Sequence, residues 1–383
     1  MYILHIISSI DRGGAENHLY SLIKKQKKNN KIFLCYFKGS NFWFKKYQNL
    51  GIKIDKINIS NSLNLFMIIY AVTYIFLKYR KYKTLIVHCH LSLSELVGFF
   101  LKFFLLKKIK FIITKHLDSF YLQKYNDKNK TFFKGIFFEK LILSFADHVI
   151  FISYFTKNYF LKFIKLKKEK YSVIHYGIST KEWPILSVNK KRKLKIKYKI
   201  SDDTFVIGNI ARHVPQKGIF FLIESYNQYL KITKKKSKLI LIGHGAESKK
   251  IDLLIKTYKL EEKIIRINFT ESINEFYSIF DVFVLSSKFE GLGLVLLEAL
   301  IKKVPIIATN QSSIKEVIIN KKNGLLVKFG NVDEMAIKIK KLEDKFYRKK
   351  LTIHNSFVLN KKFNLQKMAE LTNNVYEKTI SLL

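Results

Sequence analysis

Glu290 and Glu298 stand eight positions apart in Glu290-Gly-Leu-Gly-Leu-Val-Leu-Leu-Glu298, with Gly291 and Gly293 between them. An ionised carboxylate accepts hydrogen bonds and donates none, so this pair suits hydroxyl groups and repels phosphate. Upstream, Asp281-Val-Phe-Val-Leu-Ser-Ser287 reads as a buried strand. Downstream, Leu294 to Lys303 reads as a helix ending before Val304-Pro305. The start of that helix, at Gly293 and Leu294, offers free backbone N–H groups and the positive end of the helix dipole, which suit phosphate. The combined chemistry fits a diphosphate flanked by two polyhydroxylated groups, as in a nucleotide sugar. A glutamate on a helix is commonly just a solvated charge. Glu298, however, sits within Leu-Leu-Glu-Ala-Leu, where an idle carboxylate is costly to bury.

Other reactive residue types fall where a strand gives way to a loop. Ile207-Gly-Asn-Ile-Ala-Arg212 leads to Lys217-Gly218, so Arg212 and Lys217 share one loop, and two cations there can neutralise a departing diphosphate. Gly243 and Gly245, in Leu239-Ile-Leu-Ile-Gly-His-Gly-Ala-Glu247, permit a tight turn, and Gly13 and Gly14, in Gly13-Gly-Ala-Glu16, leave a loop without side-chain bulk. The latter lacks full G-x-G-x-x-G spacing and gives no support to dinucleotide binding. His116 follows a strand, in Thr114-Lys-His-Leu-Asp118; His88 and His90 end another, where packing is the plainer reading. No Cys/His spacing points to a zinc site, and no metal ligands are expected.

In their order, these segments resemble glycosyltransferase family 4, retaining enzymes of the GT-B fold. Glu290 to Glu298 resembles the family's E-x7-E motif, Arg212 through Gly218 its phosphate-binding loop, and Gly243 to Glu247 its G-x-G-x-E turn. Asn323-Gly-Leu-Leu-Val327 resembles its late N-G-x-L-V signature, and Gly13 to Glu16 its G-G-x-E loop. The resemblance spans nearly the whole chain and is densest over residues 203–340. It implies transfer of a sugar from a nucleotide diphosphate sugar to a hydroxyl of a cell-surface glycan (capsule or lipopolysaccharide) or of a lipid-linked saccharide precursor, with no metal or other cofactor. It assigns Glu298 to the ribose hydroxyls, Glu290 and His116 to the donor sugar, Arg212 and Lys217 to the leaving diphosphate, and the N–H groups near Gly293 and Leu294 to the phosphates. The Gly13-Gly14 loop becomes the wall near the phosphates and acceptor, with Gly243 and Gly245 beneath the donor. Two departures stand out. Leu117 separates His116 from Asp118, where the family often has His followed by Asp. Thr309-Asn-Gln-Ser-Ser-Ile-Lys-Glu316 has no Gly or Pro, where the family often does.

At 383 residues, 48% of them hydrophobic, the chain is long enough for two sizeable cores. The net charge of +41 divides evenly, +22 over residues 1–180 and +19 over 181–383, and only six of the cations are Arg. Nucleic-acid recognition favours clustered charge and bidentate Arg, so no nucleic-acid partner is expected. Abundant Lys, Ile, Asn and Phe match biased codon usage in an AT-rich genome; an anionic membrane surface is the other reading. The Phe99 to Ile113 segment mixes aromatics with Lys102, Lys107, Lys108 and Lys110, as an interfacial helix would. It equally reads as a core helix, a basic turn and a strand. The longest apolar run, Leu63 to Leu77, is fifteen residues, short of the ~20 needed to span a bilayer. The chain opens on a strand rather than on a signal sequence, so a cytoplasmic location is expected, peripheral on the inner face of the membrane. Cys35 and Cys89 lie in strands and read as small buried hydrophobes.

The positioning elements alternate. Strands are expected near residues 2–8, 31–37, 54–57, 84–88, 110–114, 148–152 and 171–174, then near 204–210, 239–242, 264–268, 282–285, 306–308 and 325–327, with helices between. This is the α/β pattern of two Rossmann-like doubly wound domains, which in GT-B face a cleft. The expected divisions are 1–180 (acceptor side), a linker over 181–202, a nucleotide-sugar domain over 203–364, and a helix over 365–383 returning to the first domain. Two rivals stay open: a non-enzymatic binder of anionic surfaces or nucleic acid, and a GT-B nucleotide-sugar epimerase, which needs no acceptor.

Overall fold

A computed structural model describes residues 1–11, 13–39, 41–58, 65–105, 109–116, 130–270 and 272–381. Asp118, Lys107 and Lys108 lie outside the described residues. The chain forms two compact units: Met1–Gly177 with Asn364–Leu383, and Ile178–Phe363. Each is a parallel sheet with helices packed on both faces.

The first sheet runs in the order β3-β2-β1-β4-β5-β6-β7. Its strands are β1 (Tyr2–Ile10), β2 (Lys31–Gly39), β3 (Lys53–Lys56), β4 (Leu85–His90), β5 (Ile109–Lys115), β6 (His148–Phe151) and β7 (Tyr171–Val173). Successive side chains alternate between faces, so each central strand splits its residues between two cores. Leu4, Ile6, Val87, Cys89, Phe111 and Ile113 join a core with helices Leu65–Tyr79, Ser92–Leu105 and Lys130–Phe145. Ile3, Ile7, Ile86 and Ile112 join the other, with helices Gly14–Gln26, Asn41–Gln48 and Leu365–Ser381. Burial raises the Cys89 thiol well above its ordinary range, so this cysteine acts as a hydrophobe.

The second sheet runs β10-β9-β8-β11-β12-β13, with β8 (Phe205–Ile210), β9 (Ser237–Ile242), β10 (Ile264–Ile267), β11 (Val282–Leu285), β12 (Ile306–Thr309) and β13 (Leu325–Val327). Val206 to Ile207, Leu239 to Leu241 and Val282 to Leu285 are fully buried, as expected of strands covered on both faces.

One expectation needs correction. Residues 181–202 belong to the second unit and contain helix Val188–Lys197, capped by Ser187, whose Oγ accepts from the Lys190 N–H at 3.4 Å. The basic run taken as a linker lies on that helix, which buries no residue and so shows no apolar face in its sequence. The segment from Phe99 follows the core-helix reading: Phe99 and Leu101 are buried, while Phe103 and Phe104 point outward. Lys102 is ion-paired to Asp147 at 2.8 Å and Lys110 is buried on β5, so neither is free to meet a membrane. No helix among the described residues is long and apolar enough to cross a membrane.

Candidate functional site

In the second sheet the chain starts at β8, steps outward to β9 and β10, then returns to β11 on the other side of β8. Open parallel sheets bind ligands beyond the strand ends at such a reversal. The loop after β8 carries Arg212 and Lys217; the loop after β11 carries Glu290, Gly291 and Gly293. Lys217 Nζ donates to Glu290 Oε1 at 2.6 Å, and Ser287 Oγ donates to the same oxygen at 2.6 Å. Among the described residues Oε2 has no protein partner, although the Glu290 side chain is only 7% exposed. The Glu290 backbone is pinned on both sides. Its N–H donates to Ser312 Oγ, and its carbonyl accepts from Ser313 Oγ, each at 2.8 Å. The two loops are stitched together by Ser286 Oγ donating to the Lys217 carbonyl (2.9 Å) and Gln216 Nε2 donating to the Phe289 carbonyl (3.0 Å). Arg212 is exposed and has no ion-pair partner among the described residues.

Helix Leu294–Ile301 begins at Gly293, whose φ of +83° is a left-handed conformation that other residues enter at a cost. No side chain caps this end, so N–H groups at Leu294 stay available for an anion. Glu298 is buried on the same helix, where Tyr277 donates to its Oε2 at 3.1 Å. Burial pushes the Glu298 carboxyl up to about 7, only partly offset by the Tyr277 bond. Near neutral pH this carboxyl therefore changes charge easily, and hydroxyl donors arriving on it would favour the ionised form.

The Gly243–Gly245 turn packs on the loop after β8. Gly243 has φ +141°, and an added Cβ would lie 1.9 Å from the Ala211 carbonyl oxygen; one on Gly245 would lie 2.4 Å from that of His213. His213 is held there by Ser248 Oγ (3.1 Å), and burial, with Arg266 adjacent, lowers its pKa to about 4. Sequence reasoning missed Ser287, Ser312, Ser313, Gln216, Tyr277 and His213. Ser287 carried a signal, since it lies two residues past a buried strand. Tyr277 carried none, because only the fold brings it against Glu298.

In the first unit the corresponding reversal lies between β1 and β4. Gly13 caps helix Gly14–Gln26, and a Cβ on Gly13 would meet Glu16 Oε2 at 2.4 Å. Gly13 thus makes room for the buried Glu16 of its own motif. Five of the ten histidines gather here: His5, His18, His88, His90 and His116, all buried. His5, His88, His90 and His116 continue the rows of Ile3, Ile86 and Ile112 on the face covered by the first and last helices. Both nitrogens of His116 are engaged: Nε2 faces His90 Nδ1 at 3.2 Å, and Nδ1 faces the Tyr176 hydroxyl. Burial, with His18 and Lys115 nearby, holds its pKa well below the ordinary value. His116 is therefore a neutral, fixed ring rather than a free base. Preceding it, the fully buried Lys115 lies between Glu95 (2.9 Å) and Glu139 (2.6 Å). Nitrogens of His5, His88 and His90 lie within 4.8 Å of one another, close enough to hold a metal. Each of these rings, however, already has hydrogen-bond partners; His88 is bonded to Tyr376 (2.6 Å) and Thr114 (2.7 Å).

Two family models match in series: Glycosyltransferase Family 4 over residues 12–182 and Glycosyl transferases group 1 over residues 190–353. The chain belongs to the glycosyltransferases that these two domains define. It is 30% identical over 244 residues to the capsular polysaccharide biosynthesis glycosyltransferase CapM of Staphylococcus aureus, covering 62% of this chain and 63% of CapM. It is 31% identical over 188 residues to the alpha-monoglucosyldiacylglycerol synthase of Acholeplasma laidlawii, covering 48% and 46%. The chain thus spans less than two thirds of either relative's length. Among solved structures, Anabaena Alr3699/HepE in complex with UDP and glucose superposes with a TM-score of 0.84 at 19% identity, covering 100% of both chains. That likeness establishes the fold: two Rossmann-like units of the GT-B class.

Proposed function

We propose that this chain is a retaining glycosyltransferase that moves a sugar from a nucleoside-diphosphate sugar to a hydroxyl of a cell-surface polysaccharide or lipid-linked saccharide. The observation that carries this reading is the Lys217–Glu290 pair at the reversal of the second sheet, beside the uncapped start of the helix that bears Glu298. Lys217 and Arg212 supply positive charge to a leaving diphosphate, and the helix start supplies N–H donors. Glu290 Oε2 accepts from a sugar hydroxyl, and Glu298 accepts from the ribose diol. Attack comes on the face from which the diphosphate departs, and the leaving phosphate takes the acceptor proton, so no carboxylate nucleophile is needed. These two cations do the work that a metal would otherwise do. The named activity of CapM supports a polysaccharide acceptor.

The same reading places the first unit against an anionic membrane. Phe66, Ile69, Phe103, Phe104, Phe137 and Phe138 are more than half exposed on the three neighbouring helices of one layer. Exposed Lys81, Lys83 and Lys140 lie on or beside the same helices. Aromatic groups enter the interface while lysines meet anionic headgroups.

A thermal-shift series with UDP-, GDP- and ADP-sugars, followed by product analysis with and without acceptor, tests the reaction. A stabilising donor and acceptor-dependent transfer with anomeric retention are expected. Inverted product would refute the mechanism, and sugar interconversion without acceptor would make the chain an epimerase. Activity should persist in EDTA; complete, reversible loss would show that a metal is required.

A further inference from the structure

We propose that Gln26 and Asn373 are positioning residues for His116, acting through His5 and His90; this rests on the assignment of His116 to the donor-sugar site. Gln26 Nε2 donates to Asn373 Oδ1 at 2.9 Å, which turns the Gln26 carbonyl oxygen toward His5 Nε2 at 3.0 Å. A neutral imidazole has one donor nitrogen and one acceptor nitrogen. His5 therefore donates through Nε2 and accepts at Nδ1, from His90 Nε2 at 3.3 Å. His90 in turn accepts at Nδ1 from His116 Nε2 at 3.2 Å. His116 is left to accept at Nδ1, from the Tyr176 hydroxyl here and from a donor-sugar hydroxyl that would take its place. Five hydrogen bonds thus run one way, from Tyr176 to Asn373. Tyr176 is itself fixed by stacking on His18, with centroids 4.5 Å apart.

Neutrality is what makes the chain directional, because a protonated ring donates from both nitrogens and breaks it. Burial supplies that neutrality, lowering the pKa of His5 to about 4 and those of His90 and His116 well below the ordinary range. Turning the Gln26 and Asn373 amides over together would reverse every link and give an equally complete chain with the opposite tautomers. The orientation of one amide, anchored by Asn373 on helix Leu365–Ser381, therefore selects the tautomer of His116. The C-terminal helix is thus a part of the site apparatus as well as a packing element.

Nitrogen NMR of full-length protein labelled with 15N-histidine reads the tautomers directly. Wild type should show His5, His90 and His116 protonated at Nε2. Asn373→Asp keeps an oxygen acceptor and should preserve that pattern. Gln26→Leu, or Asn373→Ala on the half-buried helix if the former fails to fold, should give His116 a mixture of tautomers. It should also lower kcat roughly tenfold to a hundredfold with little change in donor KM. Folded variants with unchanged His116 signals would overturn the proposal, as would stoichiometric metal on His5 and His90 in purified protein. Full activity in His116→Ala would overturn the catalytic assignment instead, and the spectra would still decide whether the amide pair sets the tautomer.

Discussion

The two sheets present different chemistry about the places where their strand order reverses. Beyond β8 and β11 the second unit gathers charge: Lys217 on Glu290, Arg212 in solvent, and a buried carboxyl at Glu298. On the face of β1 and β4, and just past the end of β5, the first unit gathers neutral imidazoles joined in series. Charge suits a ligand whose own charge changes as a diphosphate leaves. Neutral rings suit a buried layer that must hold geometry without adding charge of its own. The difference also sets opposite responses to pH. His5 has a folded pKa of about 4 against an ordinary 6.5, so the unfolded chain binds more protons across that window and acid weakens the first unit. Glu298 has a folded pKa of about 7 against 4.5, so the folded chain binds more protons and the second unit weakens as pH rises from about 4.5 to 7.

The sharpest way to break this contrast is Lys217→Ala. Loss of a cation proposed to face the leaving group should cost on the order of 2–4 kcal/mol of transition-state stabilisation, or roughly 30-fold to 10³-fold in kcat. Steady-state kinetics with a saturating donor would measure it, and unchanged kcat would remove charge from the account of the second unit. Next comes Glu298→Gln. The variant should match wild type in thermal stability at pH 5 and exceed it at pH 8, by on the order of 2–3 kcal/mol. Wild-type affinity for the nucleotide should rise between pH 6 and 8 as the carboxylate forms, and the variant should bind weakly with a flat profile. Calorimetry across this range tests both, and parallel curves would contradict the opposed responses. Gly293→Ala should cost about 1–2 kcal/mol from its left-handed backbone, visible in denaturant melts, and should weaken donor binding by displacing the helix start. The smallest effect belongs to the first unit's outer layer. Each of Lys81→Gln, Lys83→Gln and Lys140→Gln should remove up to about 1 kcal/mol of binding to anionic vesicles, read by sedimentation at low salt. Equal binding by the triple variant would leave those lysines without a lipid role.

Much of this was legible in the sequence, for reasons particular residues illustrate. Val282 to Leu285 and Ile306 to Ala308 are short apolar runs bounded by polar loops, and each became a strand. The Glu290–Glu298 motif is local, so strand, loop and helix could be read together. What escaped depends on contacts distant in sequence. Ser312 and Ser313 reach Glu290 from the next strand's loop, and Asn373 reaches Gln26 across 347 positions. In the sequence His88 and His90 read as packing residues. They do pack, but their nitrogens are bonded in an order that becomes visible only when β1, β4 and β5 lie side by side. Lys102 and Lys110 looked like surface charges because spacing does not reveal a partner such as Asp147.

The first unit is discontinuous: it opens at Met1, breaks at Gly177 and resumes at Asn364. Proteins are made from the amino end, and domains commonly fold in that order as they emerge from the ribosome. Here the order is inverted. The second unit, continuous from Ile178 to Phe363, has all its residues while the first still lacks its last helix. Until that helix arrives, Ile3, Ile7 and Ile86 lack Met368 and Tyr376 over them, His88 lacks its tyrosine hydroxyl, and Gln26 lacks the group that orients it. The strands of the first unit are thus made before the second unit, yet the first unit is completed after it, when helix Leu365–Ser381 emerges.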